Sequence, residues 1–272
     1  MTVTGFEIKR LAREKLDFAD DSPFWGYLNT HASRFARLVN DINALGSVKS
    51  ILDVGSGAYM QSILSGFCDF ELYDSPQGVD LEIDNWAVQY QDKFDLVLCT
   101  EVIEHMAADS AYLVHQCAKS LKLNGFLYMT TVNIARKLSI YSLLHGETPY
   151  SMGGLFGKRT DRHQREYAPQ ETADLVAAQG FDVRFSTADC YDVPQFIRQK
   201  EEWVDKRVPE IDPRLHRDTI VVLAKKIEAT SSPVRTWPVF HHSVSSNAAW
   251  VAPQARQNAV LDDGYAQYFS RK

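Results

Sequence analysis

Ile51-Leu52-Asp53-Val54-Gly55-Ser56-Gly57 decides the reading of this 272-residue chain. Ile51, Leu52 and Val54 form an apolar run of the kind that a parallel strand buries on both faces. Two glycines follow, so the strand ends in a tight turn whose backbone a ligand can approach closely. Asp53 stands near the carboxyl end of the strand, where open α/β sheets bind their ligands. A second strand-like run, Phe70-Glu71-Leu72-Tyr73, ends in Asp74. It sets a carboxylate about 20 residues beyond the first, the spacing at which a strand-end acid meets ribose hydroxyls. Two nucleotide cofactors compete for this pattern. A dinucleotide fingerprint wants a third glycine where this chain has Met60, and bulk there hinders the approach of pyrophosphate to the helix N-terminus.

Further along, Phe94-Asp95-Leu96-Val97-Leu98-Cys99-Thr100 reads as another buried strand and runs straight into Glu101-Val102-Ile103-Glu104-His105. A helix over roughly 108–122, stopped by Asn124-Gly125, and a strand from Phe126 to Val132 follow. The segments ILDVGSG, FDLVLCTEVIEH and LKLNGFLYMTTVN, in this order and spacing, resemble the class I S-adenosylmethionine-dependent methyltransferases. The cofactor of that family carries no phosphate, so the third glycine is not needed. The resemblance spans residues 48–226 and implies a Rossmann-like α/β fold: a seven-stranded, mostly parallel sheet with helices on both faces. Phe181–Ser186 and Thr219–Lys225 would be its terminal antiparallel pair. Only Ser75-Pro76-Gln77-Gly78 separates Asp74 from the third-strand candidate Val79–Asp84, whereas a parallel crossover normally takes a dozen residues or more. The chain is therefore shortened between strands two and three, which resembles a branch of small bacterial methyltransferases.

On this resemblance S-adenosyl-L-methionine is the cofactor. Asp53, Gly55 and Gly57 bind or shape the methionine end, Asp74 takes the ribose hydroxyls, and Asp84, with Asn85 and Trp86 next to it, contacts the adenine amino group. The alternative for Asp84 is a turn residue or helix cap, and the motif order favours the contact. Tyr59 either places a ring near the sulfonium or simply packs. Glu101, after the fourth strand, faces the methionine end or the acceptor, or is a solvated loop carboxylate. His105 is a candidate general base, since imidazole titrates near working pH, or a structural histidine. The run RHQREYAPQE resembles a His-x-Arg-x-Tyr/Phe element of methyltransferases from glycan and lipid-linked sugar clusters. His163 and Tyr167 share one face if the segment is helical. His163 could deprotonate a sugar hydroxyl, and Arg162 or Arg165 could hold a phosphate or carboxylate. The alternative is a lid anchored by hydrogen bonds. Some relatives with a Glu-x-x-Glu-His element use a divalent ion, but adjacent residues 104 and 105 of a helix do not face each other, and no metal ligand is assigned.

Composition bounds the rest. Hydrophobic residues are 45% and charged residues 24%, ordinary for a soluble globule. The net charge of −6 does not favour nucleic acid or an anionic membrane. The four cysteines (Cys68, Cys99, Cys117, Cys190) are scattered and read as buried apolar residues of a reducing compartment. The N-terminal stretch lacks a secretion signal and no run is long enough to span a membrane, so a cytoplasmic location is expected. Three regions emerge. Residues 1–46 are an arm and a covering helix that starts at Ser22-Pro23 and stops at Gly46. Residues 47–227 are the methyltransferase domain, with a lid insert at 133–168 and a second insert at 189–217. Residues 228–272 are a tail whose end could form a short docking helix and mediate oligomers. The expected reaction is O-methylation of a saccharide, nucleotide sugar or related small polar metabolite. The alternatives are a quinone-precursor O-methyltransferase, suggested by EVIEH, an amino-sugar N-methyltransferase, or a catalytically inactive binding partner.

Overall fold

The apolar run around Ile51 pairs on both sides, as its burial requires. In the computed structural model, which describes residues 2–46, 48–55, 58–67, 70–74, 78–107, 109–150 and 163–235, Ser50–Asp53 (β1) lies between two parallel neighbours. These are Glu71–Asp74 (β2) and Phe94–Thr100 (β3). Leu121–Val132 (β4) continues the parallel set beside β3. Phe181–Ala188 (β5) and Thr219–Lys226 (β6) complete a six-stranded sheet of order β2-β1-β3-β4-β6-β5, with β6 antiparallel to both neighbours. Gly57, Arg162, Cys68 and the tail beyond residue 235 lie outside the described residues.

Alternate residues of the strands feed two apolar layers. Leu52, Val97, Leu127 and Met129 face the layer built with Ser110–Ser120 (α4) and Pro169–Ala177 (α6). Ile51, Leu96, Leu98 and Tyr128 face the layer of Gly5–Lys15 (α1), Pro23–Leu45 (α2) and Ala58–Phe67 (α3). The covering helix α2 begins and ends as its sequence indicates. The Ser22 side chain accepts from the Phe24 N–H, Pro23 needs no partner for a missing N–H, and Gly46 closes the helix at φ +71°. In the arm, α1 is fixed by a capping box between Thr4 and Glu7.

Two expectations are corrected. Val79–Asp84 is not a strand, so the described sheet has six strands rather than seven. The Asp84 carboxylate accepts the Asp80 N–H at 2.7 Å, the Asp80 carboxylate accepts the Glu82 N–H at 2.9 Å, and the Asp84 N–H bonds the Asp80 carbonyl. These local bonds hold the backbone in turns and leave no ladder to form. Asn124-Gly125 does not stop a helix: α4 ends at Ser120, and both residues sit inside β4, which begins at Leu121. A Cβ at Gly125 would lie 3.0–3.2 Å from the carbonyl oxygens of Lys122, Phe94 and Asp95, so only glycine fits this irregular stretch beside β3.

Two further helices stand beyond the carboxyl edge of the sheet: Lys137–Leu144 (α5) after β4, and Gln195–Arg207 (α7) after β5. They fall within residues 133–168 and 189–217 and pack on each other through Tyr141, His145 and Trp203, with ring centroids 4.9–5.3 Å apart across the pair.

Candidate active site

The carboxyl ends of β1, β2, β3 and β4 converge on one edge. Asp53 and Asp74 are register partners, so the two acids end adjacent strands. Asp53 is buried, and Asp74 is exposed at the end of the edge strand. The chain then turns at Gly55, φ +78°, where a Cβ would meet the Val102 methyl groups at 3.1 and 3.2 Å. A left-handed backbone beside a packed valine leaves glycine as the residue that fits. From this turn a cavity of about 610 Å³ runs between α2 and the β3–β4 edge towards α7.

Glu101 lies in this cavity with φ +55°, a conformation uncommon for glutamate. Four contacts fix it there: Thr130 Oγ1 donates at 2.7 Å, the Tyr191 hydroxyl donates, Arg34 forms an ion pair at 3.4 Å, and the Glu101 N–H reaches the Thr130 carbonyl. Arg34 is held in turn by the Tyr27 hydroxyl at 2.5 Å. Burial disfavours the Arg34 charge, but Glu101 together with Tyr191, Tyr27 and Cys190 outweighs it, and the Arg34 pKa is raised. His31, one turn before Arg34, lies between the rings of Tyr27 and Tyr191. Burial, then Arg34, push its pKa down to about 4, so its imidazole is neutral at physiological pH.

The 3-10 turn Ile103–His105 continues the edge and buries Glu104. Its Oε2 accepts from Thr131 Oγ1 at 2.9 Å, whereas its Oε1 is buried with no hydrogen-bond partner. Burial and the neighbouring Glu101 raise the Glu104 pKa well above the carboxylate range. Backbone bonds from Gln164 and Arg165 to the Glu104 carbonyl bring His163 to the same corner, where its ring meets that of His105 edge-on at 5.1 Å. One ligand atom each of Glu104, His105 and His163 lie within 4.8 Å of one another. Two imidazole nitrogens and a carboxylate oxygen with a free lone pair fit a borderline divalent ion.

A family model described as a methyltransferase domain matches residues 24–184, more than half of the chain. The chain belongs to that family. It is an S-adenosylmethionine-dependent methyltransferase of class I. It is 28% identical over 160 residues to the Ubiquinone biosynthesis O-methyltransferase of Paraburkholderia phytofirmans, covering 56% of this chain and 67% of that protein. The protein of the same description from Thiobacillus denitrificans is 26% identical over 173 residues, covering 61% of this chain and 73% of the relative. Among solved structures, a SAM dependent methyltransferase from Archaeoglobus fulgidus superposes with a TM-score of 0.48 at 15% identity, over 71% of this chain and 93% of that one.

The methyltransferase brings some expected site residues together and separates others. Gly55, Glu101, His105 and His163 all border the cavity. Tyr167 does not: it is buried in the core and bonds the Ser110 hydroxyl. Arg165 pairs with Glu171 and lies over the Tyr167 ring at 4.8 Å. Tyr59 packs in an aromatic group with Phe18, Phe24 and Tyr27 at 5.1–6.1 Å, which favours its packing reading. Asp84 caps its own turn, Asn85 accepts from Lys119 at 2.9 Å, and Trp86 is buried in the core. Tyr27, His31 and Arg34 were missed from sequence, although their spacing of four and three marks one helical face interrupting an otherwise apolar pattern. Tyr191, Arg136 and Glu166 were missed too. A signal existed only for Glu166, which follows His163 by three.

Proposed function

We propose that the methyltransferase transfers the methyl group of S-adenosylmethionine to a hydroxyl of a small phenolic acceptor of the quinone-precursor type. The observation that carries this reading is the lining of the cleft. Tyr27, Tyr191, Val132, Leu138 and Ile197 offer aromatic and aliphatic walls, with Glu104, His105 and His163 together at one corner and Asp192 and Glu201 also in the lining. A flat ring with one or two hydroxyls matches such a cleft better than a sugar does, which presents polar groups on every side. The names of the curated relatives support the same reading. The saccharide expectation rested on the ordered motifs with the lid and its His163, Arg165, Tyr167 run; of these three residues His163 borders the cleft. In this reading Asp74 takes the ribose hydroxyls, the Gly55 turn admits the methionine end, and Arg34 is the buried cation placed for its carboxylate. His163 takes the acceptor proton, and holding the oxygen in line with the methyl group supplies much of the rate.

A second observation, the unpartnered Glu104 Oε1, favours an alternative in which Glu104, His105 and His163 hold a divalent ion and His163 is a ligand instead of the base. When bound the ion would supply Lewis acidity to the acceptor oxygens. Calorimetric titration with S-adenosylhomocysteine, with NAD as control, should show binding of the first ligand alone, weakened at least tenfold in Asp74→Ala, about 1.4 kcal/mol. A methylation assay with a short-chain prenylated catechol against a nucleotide sugar should give product only from the catechol. Loss of that product in chelator, regained with magnesium or zinc, supports the ion. Turnover of the nucleotide sugar alone overturns the phenolic reading.

A further inference from the structure

Behind His163 lies a charged pair, Glu166 and Arg136, of which Arg136 also reaches the cavity wall. His163 Nδ1 is 2.8 Å from Oε1 of Glu166. The other oxygen of Glu166 accepts from Arg136 at 2.8 Å. Arg136 also donates to the Asn133 carbonyl at 3.0 Å and to the Pro149 carbonyl at 3.0 Å. The side chains are 0% (Glu166), 6% (Arg136) and 7% (His163) exposed. Burying a charge pair costs free energy unless its remaining hydrogen-bonding positions are filled, and here two backbone carbonyls take two further donors of the guanidinium. Such a pair is weak evidence for stability, so its geometry is the informative feature.

A carboxylate only accepts hydrogen bonds. Nδ1 of His163 must therefore carry the proton, and Nε2 is the nitrogen left to accept in the cleft. Arg136 Nη1 holds one carboxylate oxygen while the other faces His163 Nδ1, so the carboxylate is fixed at both ends and in turn fixes the ring. We propose that Glu166, held by Arg136, is a positioning residue that sets the tautomer and orientation of His163 and presents Nε2 to the cleft. Its catalytic consequence rests on the role given to His163 above; the tautomer itself does not. The same arrangement serves whether Nε2 takes a proton or binds an ion, since both need an unprotonated nitrogen of fixed direction.

Glu166→Gln tests this at nearly constant shape. Arg136 can only donate, so the amide oxygen must face it, and the amide NH₂ must then face His163 Nδ1. Nδ1 becomes the acceptor and the proton moves to Nε2. The full-length protein labelled with ¹⁵N, held at a pH where imidazole is neutral, reports the tautomer through its ring-nitrogen shifts, with the His163 signals identified by their loss in His163→Gln. The wild type should show the Nδ1–H form and Glu166→Gln the Nε2–H form. Affinity for S-adenosylhomocysteine should stay within about twofold, while kcat on the catechol falls about 10- to 100-fold with little change in KM. An Nε2–H tautomer in the wild type, or an unchanged tautomer in Glu166→Gln, overturns the proposal, as does loss of S-adenosylhomocysteine binding, which would assign Glu166 to the fold. A switched tautomer with undiminished turnover upholds the positioning and instead sinks the catalytic role of His163.

Discussion

Gly55 shows how much one residue can decide. Its backbone is left-handed, and the space a Cβ would take is filled by Val102. Gly55→Ala should lose roughly 1–3 kcal/mol in urea unfolding and weaken S-adenosylhomocysteine in calorimetry, because both the strain and the displaced valine act on the turn. Gly46 gives the control. It has φ +71° but nothing within 4 Å of its missing Cβ, so Gly46→Ala should cost stability and leave ligand affinity alone. His31 makes a second prediction. Its folded pKa of about 4 lies below its ordinary 6.5, so the unfolded chain binds more protons between those values. Its contribution is therefore fully present above pH 6.5 and is lost as pH falls towards 4. His31→Gln should flatten the acid limb of the stability-against-pH curve in that window relative to wild type; identical slopes would refute the assignment. At this scale the acids Asp53 and Asp74 were legible because strand ends are read from local pattern. Glu166 and Arg34 were not, because their roles depend on Arg136 and Glu101, which only the folded chain brings near.

Among the elements, α2 was the most legible. Its start, stop and buried face follow from Ser22, Pro23, Gly46 and the apolar spacing between them. It is also an anchor for the arm, since Phe24 stacks on Phe18 at 4.2 Å and meets Trp25 and Tyr59 at 4.9 and 5.1 Å. Phe24→Ala should destabilise the protein by about 3–5 kcal/mol in chemical denaturation. If it costs under about 1 kcal/mol, the aromatic group is not a unit of the core. The stretch Val79-Asp80-Leu81-Glu82-Ile83-Asp84 was misread for an instructive reason. Apolar and acidic residues alternate as in a half-buried strand, but aspartates at 80 and 84 capture the N–H groups of their own turn and leave Ile83 exposed. Alternation does not reveal where a side chain bonds.

At the scale of the whole molecule, the parallel β1–β3–β4 centre and the antiparallel β5–β6 end were legible because the strand runs are apolar and appear in order. The cleft was less so. Its walls come from α2, from the β3 and β4 ends and from α7, and no single stretch announces an assembly drawn from so many places. Among the described residues no helix is long and apolar enough to cross a membrane. The turn that replaces a third strand has one more consequence. It leaves β2, four residues long, as the outer strand of the sheet, with exposed acids at both ends (Glu71 and Asp74) and the Lys93 ammonium 4.4 Å from the Tyr73 ring centroid. A brief, charged border of this kind is a poor template for a second chain to extend, so the shortening protects this edge of the sheet against fibre-like self-association.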